Sequence, residues 1–460
     1  MSRKWVIALV VATLLLGAVA PVAGAAEKIK LSLWTHNRHM MDLVDELLKE
    51  FNATIGAEKG IEVSLRVVAE GGTELMLAAQ QQGMGPDLFN IPTSYQGFGA
   101  EYEAGLKMYF DDLPGFAEWK VQFPEWYWVD NVTTWKGKVF AIPVSCYNAR
   151  LVYNKDLFRE AGLDPERPPE TFSEWREYAK RISQLPGKYG MAWPGAETWM
   201  TAWMPSQFIE ASGLPAWFDW STGRFEFTNM APLFQLLLDM KADGSLFPGV
   251  TSLNNDALRA QFAAGNIGMF LAVNWDVGVL NDQFPARCDW GVALPPVIDG
   301  HERHKVRAMI EVGLYSINGQ TKYPEAAWEV VKWFNSYEIR ARFYEEGKLL
   351  DPDPKVREYA KKEPTAKGFA EFAQTEWDYA ASWPKHPGFV QPSENPCSVF
   401  SAILARGGDL MAELQRLEDM WNAELDKFYA ENPDVRREWN IYPNFDRKTG
   451  VMGDPLLPSE

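Results

Sequence analysis

The chain has 460 residues, with 45 Lys and Arg against 62 Asp and Glu, so its formal net charge is −17 at neutral pH. Proteins that bind nucleic acid or anionic membranes neutralise phosphate with a surplus of Lys and Arg, and this balance argues against both kinds of partner. A hydrophobic content of 47% excludes disorder, three cysteines are too few for a disulfide framework, and the length allows two or three domains.

The first 26 residues predict a cleaved export signal. Arg3 and Lys4 give a positive start, residues 5–20 are an unbroken apolar run, and residues 23–26 offer a small-residue cleavage site. The run is shorter than the roughly 20 residues that cross a bilayer. A lipoprotein would need a cysteine at the cleavage site, and the cysteines lie at 146, 288 and 397. We therefore expect an exported protein without a lipid anchor, periplasmic in a bacterium, with eukaryotic secretion as the alternative.

The segment that follows predicts an open α/β sheet. Apolar residues alternate over 29–33 and 61–67, as in strands, and recur at helical spacing over 40–51 between them. A second helix is predicted over 73–82 and a third strand over 86–91. A helix between two strands implies a parallel sheet, and open parallel sheets bind ligands beyond the carboxyl ends of their strands.

The rest of the chain predicts a mixture of helices and strands without repeats or clear linkers. A strand over 137–144 is expected to run on through 150–153, and the chain beyond 350 is predicted to be helical, with a Pro-rich break over 383–396. The other predicted helices are 172–182 (capped by Thr171), 230–243, 255–264 and 324–335, and the other predicted strands are 189–193, 267–273, 290–294 and 307–317. The absence of a clean boundary suits two lobes that are each built from discontinuous segments.

Several strings resemble one family, in the family's order along the chain. They are 31–37 (LSLWTHN), 85–89 (GPDLF), 152–158 (VYNKDLF) with 171–175 (TFSEW), 262–269 (FAAGNIGM) ahead of Asn274-Trp275, and 323–328 (YPEAAW). Together they resemble family 1 of the extracellular solute-binding proteins, to which maltose-binding protein belongs.

The resemblance implies an α/β protein with the two-lobe periplasmic-binding-protein fold (type II). Each lobe would be an open, mostly parallel sheet flanked by helices, with residues 27–143 and 297–336 in the first lobe and 144–296 and 337–460 in the second. A ligand, most simply a sugar, would bind between the lobes and favour hinge closure. The closed monomer would then deliver it to the transmembrane permease subunits of an ABC importer.

The first lobe offers candidate ligand contacts in two loops. His36, Asn37 and Arg38 lie just beyond the carboxyl end of the first strand and present polar groups that suit hydroxyl-rich ligands. Capping of the following helix is the alternative role for His36 and Asn37. Thr93 and Ser94 follow the third strand in the same way, although loops of this composition are commonly plain turns.

The hinge crossing and the second lobe supply further candidates. By analogy with the family, Tyr147 and Asn148 lie at the first crossing, where they either face the cleft or bond the hinge. Asn274, Trp275 and Asp276 follow a buried strand, where the family often presents an aromatic ring. Trp275 is therefore the main candidate for stacking on a sugar, with amide and carboxylate groups beside it for the hydroxyls.

Three tryptophans and one acid complete the candidate set. The chain has 20 Trp, and because Trp presents a flat apolar face with a polar edge, this surplus modestly favours carbohydrate contact. Trp199 and Trp203, four residues apart, would share one face of a helix. Glu311, inside an apolar run, must be paired or reach a ligand. Trp383 lies in the Pro-rich loop.

Other functions are open at this point. A secreted glycoside hydrolase needs two carboxyl groups about 5–10 Å apart, and no segment singles out such a pair. A cationic ligand such as a polyamine or betaine would suit an aromatic cage with acids, and glycerol phosphate and related polyols are a third ligand class. We expect no metal and no cofactor, because motifs for zinc, phosphate loops and dinucleotides are absent. Cys146 is expected to be a small buried residue rather than a nucleophile.

Overall fold

The computed structural model of the chain describes residues 28–68, 72–91, 100–129, 132–197, 203–381, 384, 386 and 388–456. The described strands are β1 Ile29–Thr35, β2 Ile61–Val67, β3 Leu88–Phe89, β4 Thr134–Trp135, β5 Lys138–Val139, β6 Pro143–Tyr147, β7 Arg150–Asn154, β8 Tyr189–Met191, β9 Trp217–Asp219, β10 Arg224–Glu226, β11 Ile267–Ala272, β12 Trp290–Ala293, β13 Val306–Val312, β14 Ser316–Ile317 and β15 Asp378–Ala381.

The helices of the described ranges include one of 22 residues near the carboxyl end of the chain. They are α1 Met41–Ala53, α2 Ile55–Lys59, α3 Gly72–Gln81, α4 Ala100–Glu103, α5 Phe116–Lys120, α6 Lys155–Glu160, α7 Phe172–Ile182, α8 Met204–Glu210, α9 Ala231–Ala242, α10 Asn255–Ala263, α11 Asp276–Gly278, α12 Pro324–Phe334, α13 Tyr337–Glu345, α14 Pro354–Tyr359, α15 Phe369–Phe372, α16 Pro396–Arg406 and α17 Leu410–Glu431. Short 3-10 turns occur at Arg38–Met40, Phe110–Asp112, Glu125–Tyr127, Thr228–Met230, Val250–Ser252 and Arg437–Asn440, and a π-helical turn at Val279–Gln283. None of the helices in the described ranges combines the length and apolar character needed to cross a bilayer.

The first sheet has the strand order β14-β3-β1-β2. As predicted, β1 pairs in parallel with β2 in the register Ile29↔Ile61, and it pairs in parallel with β3 on its other side. Helix α1 crosses between β1 and β2 and buries one apolar face that includes Leu47 and Phe51. Burial of each such side chain contributes about 1.5–3 kcal/mol, so the amphipathic pattern of α1 is sufficient to fix this crossover.

The second sheet has the order β12-β7-β11-β8. The family resemblance implied a mostly parallel sheet, whereas two of its three strand pairs are antiparallel. Strand β7 is antiparallel to both β11 and β12, whereas β11 and β8 are parallel. The reason is topological, because the chain enters this lobe through β7 and leaves it through β12, so these two neighbours must run in opposite directions. In the first sheet, β14 is likewise the re-entering strand and pairs antiparallel with β3.

A third sheet joins the two lobes, and we call it the hinge sheet. It has the order β15-β13-β6, with β13 antiparallel to β6 and parallel to β15. The continuous strand predicted over 137–153 is wrong, because β5, β6 and β7 belong to three different sheets. The strand predicted over 307–317 is also split at Gly313, whose φ of 70° turns the chain from β13 towards β14. Strand β15 lies in the region predicted to be helical.

Two buried ion pairs brace the hinge region. The two terminal guanidinium nitrogens of Arg150, Nη1 and Nη2, donate to Asp378 at 3.0 and 2.7 Å, and both side chains are 1% exposed. Arg340 donates to Asp351 at 2.8 and 2.7 Å in the same bidentate manner. Because a buried charge without its partner is strongly unfavourable, these pairs tie β7 to the first residue of β15, and α13 to the segment that follows α13.

Helices α13 and α14 lie against the first lobe. Arg340 donates to the Tyr127 hydroxyl at 2.9 Å and to the Pro143 carbonyl at 3.2 Å, and Arg342 pairs with Glu50 of α1 at 3.3 Å. The family resemblance assigned residues 337–460 to the second lobe. We propose that the first lobe also includes these two helices.

The cysteines do not form disulfides. Cys146 and Cys288 carry free thiols, and burial raises the pKa of Cys146 to about 12. A thiol with such a pKa is not ionised at neutral pH, so Cys146 lacks the thiolate that a nucleophile or metal ligand requires.

Candidate ligand-binding cleft

We propose that one face of the hinge sheet forms the floor of the cleft between the lobes. Glu311 of β13 is opposite Ser145 of β6, and Met309 is opposite Tyr147. Because opposed residues of antiparallel strands share a face, Glu311, Ser145 and Tyr147 lie on the same side of the sheet. Asn274, just after β11, donates from its amide to Ser145 Oγ at 3.4 Å. The carboxyl end of β11 therefore meets this face of the hinge sheet.

Three aromatic rings pack together above this floor. The Tyr147 and Trp275 rings meet edge to face, with centroids 4.8 Å apart, and Trp203 lies 6.3 Å from Tyr147 and 6.4 Å from Trp275. Trp203 is 7% exposed, whereas Tyr147 and Trp275 are half-buried. Trp203 thus supports the other two rings from behind, and these two keep apolar surface for a ligand.

Glu311 is a carboxyl group with a raised pKa. It retains some accessible surface, yet its surroundings remove enough water to raise its pKa to about 7, and a hydrogen bond from Tyr147 opposes that rise. Within the described residues Glu311 forms no ion pair with Lys or Arg, and Tyr147 is its neighbour on the same face of the hinge sheet.

An ionic cluster lies beside the aromatic rings. Arg259 of α10 donates to Asp276 Oδ1 at 2.6 Å, and its guanidinium also lies 3.6 Å from Asp256. Asp276 is 2% exposed, and burial raises its pKa against the opposing effect of Arg259. Asp256 in turn pairs with Arg38 of the first lobe. The two lobes are therefore in ionic contact across the cleft.

We propose that the loop after β1 forms the opposite wall. The backbone N–H of His36 donates to Asn90 Oδ1 at 3.3 Å, and that of Asn37 donates to Thr35 Oγ1 at 3.1 Å. The His36 ring is exposed, yet loss of hydration from its surroundings lowers its pKa.

Comparison with known proteins identifies the family of the chain. The family profile described as bacterial extracellular solute-binding protein matches residues 40–341, more than half of the chain. The chain belongs to this family.

Individual relatives of this solute-binding protein are distant. It is 27% identical to the maltotriose-binding protein of Pyrococcus abyssi over 275 residues, which are 55% of this chain and 51% of that protein. It is 29% identical to the sn-glycerol-3-phosphate-binding periplasmic protein UgpB of Escherichia coli K12 over 179 residues, 37% of this chain and 38% of that protein. These alignments span about half, or less, of the relatives' own lengths.

A solved structure shows the same fold. The GacH receptor of Streptomyces glaucescens, determined without ligand and in complex with acarbose, superposes with a TM-score of 0.67 at 16% identity. The match covers 87% of this chain and 99% of that one. At this identity the likeness establishes the two-lobe fold alone.

The structure brings together most of the described candidate residues of this solute-binding protein. Tyr147 and Glu311 share one face of the hinge sheet, the Trp203 and Trp275 rings pack on Tyr147, and His36 lies in the loop after β1. Asn148 is elsewhere, 1% exposed with its amide donating to the Phe372 carbonyl at 2.7 Å, which is the hinge role that the sequence analysis left open. The candidates outside the described residues are Thr93, Ser94, Trp199 and Trp383.

Three residues of the cleft were not anticipated from sequence. Ser145 accepts from Asn274, and Arg259 and Asp256 form the ionic cluster with Asp276 and Arg38. Asp256 and Arg259 are three residues apart on α10, a spacing typical of any exposed helical ion pair. This spacing could be seen in the sequence, but it did not indicate a site. The partners Arg38 and Asp276 are distant from α10 in the chain.

Proposed function

We propose that this solute-binding protein captures a sugar or oligosaccharide in the cleft between its lobes and delivers it to the permease of an ABC importer. The observation that supports this most is the aromatic cluster of Tyr147 and Trp275 beside Glu311. Apolar ring faces stack on the flat faces of a sugar, and a carboxyl group accepts hydrogen bonds from its hydroxyls. Export by the signal over residues 1–26, and docking of the closed monomer on the permease, belong to the same proposal.

A phosphorylated ligand fits the described residues less well. The E. coli relative is named for sn-glycerol 3-phosphate, and a phosphate would need cations that are not already paired. Arg38 and Arg259 both pair with carboxylates, and Glu311 would repel an anion. The maltotriose-binding relative agrees better with a neutral, hydroxyl-rich ligand.

A cationic ligand is also less well supported. A quaternary ammonium or polyamine would sit between aromatic rings in a cage. The rings of Tyr147, Trp203 and Trp275 contact one another, with centroid distances of 4.8–6.4 Å, so no space for a cation remains among these three. They form a platform, which suits a ring-shaped ligand.

Glycoside hydrolysis requires a second available carboxyl group. Beside Glu311 the described cleft offers Asp276 and Asp256. The two oxygens of Asp276 are engaged by the Arg259 guanidinium and the Val273 N–H, and Asp256 pairs with Arg38 and Arg259. A single available carboxyl group supports binding rather than the paired acid and nucleophile of a hydrolase. We propose that the protein is not an enzyme.

Thermal shift of the mature protein against a defined panel tests the proposal. The panel contains maltose, maltotriose, raffinose, sn-glycerol 3-phosphate, spermidine and glycine betaine. A saccharide should raise the melting temperature in a saturable manner, because binding to the folded state alone stabilises it by mass action. A rise with glycerol phosphate or a cation, and none with any saccharide, would replace the ligand class. Release of smaller saccharides would show an enzyme.

A further inference from the structure

The turn that carries Trp275 is fixed by a buried carboxylate. Asp276 Oδ2 accepts the N–H of Val273 at 2.9 Å, and the Asp276 N–H donates back to the Val273 carbonyl at 2.9 Å. Asp276 Oδ1 accepts from Arg259 at 2.6 Å, and the two side chains are 2% and 11% exposed. Because Trp275 lies within the turn that these bonds close, Arg259 determines its orientation through Asp276.

The same arginine is connected to the first lobe. Arg259 lies 3.6 Å from Asp256, and the other carboxylate oxygen of Asp256 pairs with Arg38. Arg38 belongs to the turn after β1. Four alternating charges, Arg38, Asp256, Arg259 and Asp276, thus run from one lobe across the cleft to the turn that holds the ligand-facing ring.

A second contact joins the same two segments. Gly278, two residues after Asp276, lies against His39, the neighbour of Arg38. A Cβ atom added at Gly278 would be 3.2 Å from the His39 carbonyl oxygen and 3.3 Å from its Cβ. The turn after β1 and the turn after β11 therefore meet through backbone packing as well as through charge.

The two outer ion pairs of this row of four charged residues differ in exposure. The Arg259 and Asp276 side chains are 11% and 2% exposed, so their pair persists while the second lobe is folded. Arg38 and Asp256 are 35% and 29% exposed, and an ion pair at such exposure is weak and screened by salt. It is suited to form and break as the lobes close and open.

We infer that Arg38 and Asp256 form a closing contact between the lobes, and that Arg259 and Asp276 connect this contact to Trp275. Arg38 is then a positioning residue rather than a ligand contact, and lobe closure and ring orientation act as one unit. The closing contact is independent of which ligand binds, whereas its effect on affinity rests on the proposed function.

Small-angle scattering of the ligand-free mature protein tests the closing contact without any ligand. The variants are Arg38→Gln, Asp256→Asn and the double variant, with Arg416→Gln as the matched control, because Arg416 pairs with Glu394 and Glu413 on the surface of the second lobe. We expect the wild type and the control to expand between 20 and 500 mM NaCl. The closing-contact variants should already be expanded at 20 mM and should not respond to salt. A wild-type radius of gyration that is independent of salt and equal to that of all variants would overturn the inference.

A double-mutant cycle tests the link to the ligand, with maltotriose as the first probe and calorimetry as the measurement. Each single variant should weaken binding by about threefold to fivefold, as expected for one partly exposed ion pair. The double variant should bind no worse than either single variant. Additive losses would show that Arg38 contacts the sugar directly and would overturn the positioning role. If no saccharide binds, the proposed function fails, and the scattering result still decides the closing contact.

Discussion

Tyr147 of β6 and Glu311 of β13 lie on the same face of the hinge sheet, and on that side the Trp275 ring of the second lobe meets the Tyr147 ring edge to face. The two strands that bear them are the segments that cross between the lobes. A ligand that bonds Glu311 therefore touches the moving part of the protein directly, which connects occupancy of the cleft to closure.

Replacement of Glu311 by Gln should change the pH dependence of stability. Burial raises the pKa of Glu311 to about 7 from 4.5, so between these values the folded state holds a proton that the unfolded state has lost. The contribution of this proton to the free energy of unfolding is complete below pH 4.5 and disappears as the pH rises through 7. Its upper limit is about 3 kcal/mol. Thermal melts at pH 5 and pH 8 should show that Glu311→Gln gains stability over the wild type at the higher pH. An equal difference at both values would contradict the assigned pKa.

Truncation of Trp275 to Ala should weaken saccharide binding at least tenfold, which corresponds to about 1.4 kcal/mol. The fold should persist, since the ring is half-buried and packs on Tyr147 and Trp203 at its edges. Calorimetric titration measures the affinity, and Trp126→Ala is the control, because Trp126 is 47% exposed. A large loss of melting temperature with little loss of affinity would assign Trp275 to the core.

A bulky side chain at Gly278 should hinder closure. Gly278 has a helical φ of −64°, so the second lobe accepts another residue there without backbone strain. The side chain of Gly278→Leu would meet His39 of the first lobe, where even a Cβ lies within 3.3 Å of its atoms. We expect weaker saccharide affinity with an unchanged melting temperature of the ligand-free protein. Gly278→Ala should show a smaller effect in the same calorimetric assay, and equal affinities in all three proteins would contradict the packing.

The buried pair at the hinge should dominate stability. Arg150→Met leaves the Asp378 carboxylate buried at 1% exposure without its bidentate partner, and removal of one member of such a pair costs about 3–5 kcal/mol. Urea unfolding measures this loss. Arg416→Gln, which removes an exposed pair, should change the free energy of unfolding by less than about 1 kcal/mol. Similar losses in both variants would show that the buried hinge pair contributes no more to stability than an exposed ion pair.

The sequence predicted the elements that are determined locally. The β1–α1–β2 crossover follows from alternating and helical apolar spacing, and α7 begins as expected, because Thr171 Oγ1 accepts the Glu174 N–H at 3.3 Å. Periodicity does not indicate where a chain changes sheet. For that reason 137–153 was predicted as one strand although it spans β5, β6 and β7, and β15 was missed because it forms only against β13.

The candidate site residues stay predictions, and they rest on two kinds of argument. His36 was selected because it follows the carboxyl end of β1, and Trp275 because the family resemblance implies an aromatic ring after the buried strand β11. The role of Asp276 depends on Arg259, and that of Arg38 on Asp256, which lies 218 residues further along the chain. Such pairs are a property of the assembled lobes, so single-sequence reasoning assigned both Asp276 and Arg38 to the ligand.

Calorimetric titration of the mature wild-type protein with maltotriose and the other saccharides of the panel, followed by mass spectrometry of the recovered ligand, tests the central claim most directly. The account predicts saturable one-site binding of a saccharide, with a dissociation constant in the micromolar range or below (about −8 kcal/mol or stronger), and recovery of the saccharide intact. Absence of heat with every saccharide, together with binding of glycerol phosphate or a cation, would contradict it.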